Sequence, residues 1–103
     1  YQKSDGEMHL GDADSASTSG VIAIAVASGS DGASSNFMFY GFLRDDSWNW
    51  TVGGLIYLST TGTSGNTLTQ TAPSGSGDIV QILGVATHAD RIFFNPSLTY
   101  AEV

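Results

Sequence analysis

Apolar and β-branched runs recur along this chain at spacings of about 8–12 residues, each stopped by a cluster of Gly, Ser, Asn, Asp or Pro. No window holds a sustained helical period. This pattern restricts the chain to an all-β fold. With 103 residues there is room for one domain and one core. The expected architecture is a single small antiparallel β-barrel or a compact sandwich, built from short strands and hairpins.

Residues 1–20 read as a polar N-terminal arm with a short strand at Met8-His9-Leu10, and residues 21–103 as the β domain. In Val21 to Ala27 the larger side chains of Ile22, Ile24 and Val26 alternate with smaller ones, which suits a strand with the large residues inward. Phe37 to Arg44 carries apolar groups on both faces and reads as a central strand. Gly41 inside it signals a bend, a bulge or a close approach of another chain. Further strands are expected at Leu55 to Thr60, Thr67 to Thr71, Ile79 to Thr87, Arg91 to Asn95, and within Leu98 to Val103. The segment TGTSGN between the first two has hairpin-loop composition, and His88-Ala89-Asp90 forms a tight hairpin turn. Gly84 marks a bend of the kind a small barrel needs at its corners.

Composition excludes several classes of function. No Cys is present, which removes disulfide scaffolds, thiolate zinc sites and thiol catalysis. Lys plus Arg total 3 against 10 Asp plus Glu, a formal charge of −7. Only Lys3, Arg44 and Arg91 could neutralise phosphates, so nucleic acid and anionic membranes are not expected partners. The apolar run at Val21 is too short to span a bilayer. No signal peptide is visible. The chain opens at Tyr1 rather than Met, as expected of a processed chain or of one domain of a longer fibre.

Neither catalytic nor metal chemistry is specified by any motif. Asp12 and Asp14 have the spacing that opens a calcium loop, but Ala16 takes the next ligand position and the Gly and distant Glu are missing. They read as a turn with solvated carboxylates. His9 and His88 are far apart in sequence and read as surface residues. Asp45 and Asp46 are adjacent and point to opposite faces if extended, so Arg44-Asp45-Asp46 is expected to form a turn with a local ion pair. No Gly-x-Ser-x-Gly elbow occurs. A Ser-His-Asp set assembled from His88, Asp90 and one of many serines carries no information. The expectation is a protein that is not an enzyme and uses no cofactor or metal. Trp48 and Trp50 share a face if extended; they suit core or interface anchors, or a platform for sugar rings.

Arg44-Asp45-Asp46, Trp48-Asn49-Trp50, Gly54-Leu55-Ile56-Tyr57-Leu58-Ser59 and Thr69-Gln70-Thr71-Ala72-Pro73 form a pattern with Gly77-Asp78, Val80-Gln81, Gly84-Val85-Ala86 and Phe94-Asn95-Pro96-Ser97. With Ala13-Asp14 and Ile22 to Ala25 upstream, it resembles a small β domain of tailed-bacteriophage virion proteins. That family comprises capsid decoration or cement proteins, and similar domains occur fused to tail-fibre-like chains. The resemblance runs from Gly41 to Val103.

It implies a structural virion component on the outer capsid surface, bound to the major capsid protein and to copies of itself, with trimers common in the family. The alternative it leaves is a tail- or head-fibre domain that binds a receptor or carbohydrate. On this reading Phe37, Phe39, Trp48 and Trp50 are candidate anchors or core, and the segment from Asp12 to Gly20, with Asp12 and Asp14, drapes over a neighbour.

Overall fold

The computed structural model describes residues 1–20, 22–26, 32, 34–61 and 67–103. A single 3-10 turn, Ala16–Thr18, is followed by β1 (Ile24–Ala25), β2 (Phe37–Met38), β3 (Gly41–Arg44), β4 (Leu55–Leu58), β5 (Leu68–Thr69), β6 (Ile79–Val80), β7 (Ile82–His88), β8 (Arg91–Phe94) and β9 (Ala101–Glu102). All strand pairs are antiparallel. The main sheet has the order β3-β8-β7-β4-β5, and β1-β2 and β6-β9 form two small ribbons. The all-β expectation holds. The sheets do not close into a barrel: among the described residues, β3 and β5 remain as free edges of the main sheet.

The core lies on one face of that sheet. Ile56 and Leu58 of β4, Leu83 and Ala86 of β7, and Ile92 and Phe94 of β8 pack with Ala13, Ile22 and Ile79. Residues 12–13 are built into this layer: Ala13 N donates to Ser59 O at 2.9 Å, and Ile79 N donates to Ala13 O at 2.6 Å. A small side chain fits here because the backbone itself passes between β4 and β6. Ala13 is fully buried.

Several strand expectations are corrected. Phe37 to Arg44 is two strands, not one, and β3 is an edge strand rather than a central one. The break falls at Phe39 and Tyr40, and β3 restarts at Gly41, whose φ of +144° is a backbone state that L side chains rarely adopt. Ile79 to Thr87 likewise divides at Gln81. Ile22 is buried as expected, but Val26 is exposed and β1 covers only Ile24–Ala25. Met8 forms an isolated bridge with Gln2 rather than a strand. The expected loop from Ser28 and the TGTSGN hairpin loop lie largely outside the described residues, as do Val21 and Ala27.

Gly84 serves a close approach, not a barrel corner. A Cβ there would overlap the Phe93 carbonyl oxygen. Beside it the β4–β7 register shifts between Ile56 and Tyr57, so Ile56 pairs with Gly84 and Tyr57 with Ile82. The extra residue, Leu83, goes to the core.

Gln81 is fully buried at the β6/β7 break. Its Nε2 donates to Gly20 O at 2.7 Å and to Ser97 O at 2.6 Å, and its Oε1 accepts from Gly20 N at 3.1 Å. Gln81→Leu keeps the volume and strands three main-chain groups. At ~1–3 kcal/mol for a buried polar group left unpaired, with these sites only partly buried, the loss is about 2 kcal/mol. Thermal melting is expected to show a fall in Tm on the order of 10 °C; an unchanged Tm would refute this account of Gln81.

Candidate functional site: the uncovered sheet face

Side chains alternate across a strand, so the face of the main sheet opposite the core is fixed by register. Phe42 pairs with Phe93, Phe93 with Val85, and Val85 with Leu55. These four residues form an apolar row crossing β3, β8, β7 and β4. Tyr57 and Ile82 pair in the next row on the same face. Tyr40 adds to it by stacking edge-on against Phe93, with centroids 5.2 Å apart, and Phe42 lies 4.9 Å from Phe93. Phe42 is 71% exposed, Tyr40 67%, Leu55 43% and Ile82 39%. At ~150–250 Å² per aromatic side chain, Phe42 and Tyr40 alone leave on the order of 270 Å² of ring surface in water. With Leu55 and Ile82 this reaches about 300–600 Å², the size of the largest apolar patch on a typical monomer, which is often functional.

Beyond the row, Arg44 pairs with Arg91, and Arg91 with His88. Asp90 in the hairpin turn collects these side chains. Its carboxylate lies 2.8 Å from His88 Nδ1, 3.5 Å from Arg44 Nε and 3.7 Å from Arg91 Nε. Arg44 Nε also pairs with Asp46 at 2.7 Å. Asp45 turns instead to Ser47, bonding its hydroxyl and amide, so the adjacent carboxylates do not converge. Among the described residues, neither His88 ring nitrogen bonds a serine or threonine hydroxyl, and the histidine–carboxylate pair stays at an open hairpin tip.

The strands and turns carrying this face hold two arginines and three aspartates, a net of −1, leaving −6 of the chain's −7 elsewhere. These charges gather at the hairpin end, and the apolar row itself carries none.

The predicted anchors divide. Trp48 and Trp50 are half-buried and pack against the core edge. Their loop is held by Trp50 N to Ala89 O at 2.8 Å, and by Gln70, whose side-chain amide both donates to and accepts from the Thr51 main chain at 2.8 Å. The two indoles lie 5.7 Å apart and tilt by 51°, so they present no coplanar platform for a sugar ring. Phe37 and Phe39 are exposed, not buried. Asp12 and Asp14 form the expected turn, Asp14 N donating to Asp12 Oδ1 at 2.9 Å. A shallow cleft of about 310 Å³ lies at the other end of the sheet, lined by Ser59, Thr69, Thr71, Ser74 and Asp78 among others.

Phe42, Phe93, Val85 and Leu55 are not singled out by the sequence, and Tyr40 reads there only as a possible partner of the tryptophans in a sugar platform. For Phe42 the signal was present as apolar residues on both faces of Phe37 to Arg44. Two apolar faces fit a central strand covered twice, and equally an edge strand with one face left bare. Comparison with family models, curated proteins and solved structures finds no match for this chain.

Two carboxyls at opposite ends of the molecule respond oppositely to acid. For Asp90, partial desolvation pushes the carboxyl up, but the His88 hydrogen bond and the His88, Arg44 and Arg91 charges together hold it below its ordinary 3.8. Its contribution is full above the ordinary carboxylate range and is lost as pH falls through the lowered value. For Asp14, desolvation and then the charges of Asp12 and Asp78 push the carboxyl above 3.8, so ionisation at neutral pH works against folding. Urea melts are expected to find Asp90→Asn less stable and Asp14→Asn more stable than wild type near pH 7, with both gaps closing below about pH 4. Gaps of the reverse sign would overturn the assignment.

Proposed function

We propose that this chain is a structural docking module that binds a protein surface through the uncovered face of its main sheet. In the setting implied by the sequence resemblance, that surface is the exterior of an assembled tailed-phage capsid, where the chain acts as a decoration protein. The observation that carries the reading is the Phe42–Phe93–Val85–Leu55 row, apolar, continuous across four strands and, among the described residues, covered by no further layer of this chain. The row itself carries no charged side chain, which lowers the desolvation cost of covering it, since interface cores are depleted in charged residues. The acidic remainder suits the outside of a shell better than a surface turned to packaged nucleic acid.

Such a module acts by mass action. A chain that binds the assembled shell and not its dispersed subunits stabilises the assembled state in proportion to its occupancy. No bond is made or broken in the process. The carbohydrate-binding alternative lacks an aromatic platform at Trp48 and Trp50 and draws only on the hydroxyl-lined cleft beside Thr69 and Thr71.

Electron microscopy of intact particles is expected to show the chain as a protrusion on the capsid exterior, in register with the lattice. Phe42→Ser, at a largely exposed position whose ring pairs with Phe93, is expected to lower the melting temperature by only about 2–6 °C and to cut retention on particles at least about tenfold, the loss of one interface anchor. Density confined to the tail, absence from particles, or undiminished retention of Phe42→Ser would reject the proposal.

A further inference from the structure

We propose that Asp5, Glu7 and His9 form a binding site for a first-row divalent transition cation, with zinc the best fit. The site lies away from the sheet face and does not depend on the docking role.

A short reversal of the chain builds it. Tyr1 N donates to His9 O at 2.7 Å, and His9 N donates to Tyr1 O at 2.9 Å. Lys3 N donates to Glu7 O at 3.0 Å, Gly6 N closes the turn onto Lys3 O at 2.9 Å, and Gln2 bridges Met8. Residues two apart on an extended segment share a side, so Glu7 and His9 project together while Met8 turns the other way. Asp5 sits in the turn. Its Oδ1 holds Glu7 N at 2.8 Å, which leaves Oδ2 directed at His9 Nε2, 3.5 Å away. One ligand atom from each of the three residues lies within 4.8 Å of the other two.

A second feature points to a ligand. His9 Nε2 is shielded from water and has no hydrogen-bond partner among the described residues. The ring is backed by Tyr1, with centroids 5.9 Å apart. The His9 side chain as a whole is 36% exposed, and its Nε2 faces Asp5 Oδ2 at 3.5 Å, longer than a good hydrogen bond; a metal ion between the two would bind both.

The donor set selects the class of cation. One imidazole with two carboxylates suits zinc and its first-row neighbours; calcium and magnesium prefer oxygen alone. Zinc takes these ligands at about 2.0–2.2 Å in a tetrahedron, which places them roughly 3.3 Å apart. Closing from the present spacing takes rotamer changes of the exposed Asp5 and Glu7, with Asp5 Oδ2 moving while Oδ1 keeps its bond to Glu7 N. Three protein ligands leave the fourth position to water. The cation would also neutralise two of the chain's ten carboxylates and close the reversal of residues 1–9.

The test is titration of the protein with zinc chloride, read by calorimetry and by amide NMR. A one-to-one isotherm is expected, with shifts confined to residues 1–10 and little displacement by excess calcium. His9→Ala and Glu7→Gln are each expected to weaken binding at least about tenfold, the loss metal sites suffer even when only a supporting group is removed. Circular dichroism without metal would confirm that both variants fold. His88→Ala is expected to bind as wild type. No saturable binding, unchanged affinity in His9→Ala and Glu7→Gln, or shifts centred on His88 and Asp90 would overturn the site.

Discussion

The side-chain amide of Gln81 holds three parts of this molecule to one another. It sits where β6 ends and β7 begins, fully buried, and binds the Gly20 main chain through both of its ends while donating a second bond to Ser97 O. The main-chain carbonyl of Gln81 accepts from Leu58 N at 3.2 Å, continuing toward β4. The segment ahead of β1, the central strands and the segment after β8 thus share one residue. An amide can do this because it carries two donors and a two-lone-pair acceptor in one plane. A buried polar group of this kind is costly unless satisfied, and here every hydrogen bond also specifies a register. The position of Ala13 between Ser59 and Ile79 depends on the same alignment.

With that alignment set, the sheet is shaped by contacts at which a larger residue has no room. Gly84 lies against the Phe93 backbone, and the bulge beside it sends Leu83 inward. Ile56, Ala86, Ile92 and Phe94 complete a core confined to one side. The opposite side follows from strand geometry: if Ile92 and Phe94 face in, Phe93 faces out, and its partners Phe42 and Val85 face out with it. Polar residues there would satisfy the fold equally well, so the aromatic row is not required by folding.

The class of fold was legible because strand runs and turn clusters are local signals. The hairpin at Ala89-Asp90, the strand at Leu55 and the last strand near Ala101 could be placed that way. Edges and breaks were less legible. Gln81 interrupts a run of β-branched residues without any breaker chemistry, since its role depends on Gly20 and Ser97, both distant in sequence. Whether Phe37 to Arg44 is central or at an edge depends on strand order, which no local pattern encodes. The Arg44–Asp46 pair was readable from its spacing, whereas the arrival of His88 and Arg91 at Asp90 needed the β7–β8 register. Asp5, Glu7 and His9 have the spacing of one strand side, but their convergence came from the turn at Asp5.

The sheet edges bear on how a partner would approach. An exposed edge strand invites pairing by strand addition, and proteins counter this with short or bent edges and with charge. Here β5 has two residues, and β3 has four. The β3 edge is kinked at one end by Gly41 and closed at the other by the Arg44–Asp46 ion pair. Neither edge offers a long flat ladder. The apolar area is instead on the face, where association needs a complementary surface rather than a free strand. Face docking is selective for shape, because rings at Phe42 and Tyr40 must find pockets. It also avoids the edge-to-edge pairing that would string copies of an exposed β protein into aggregates.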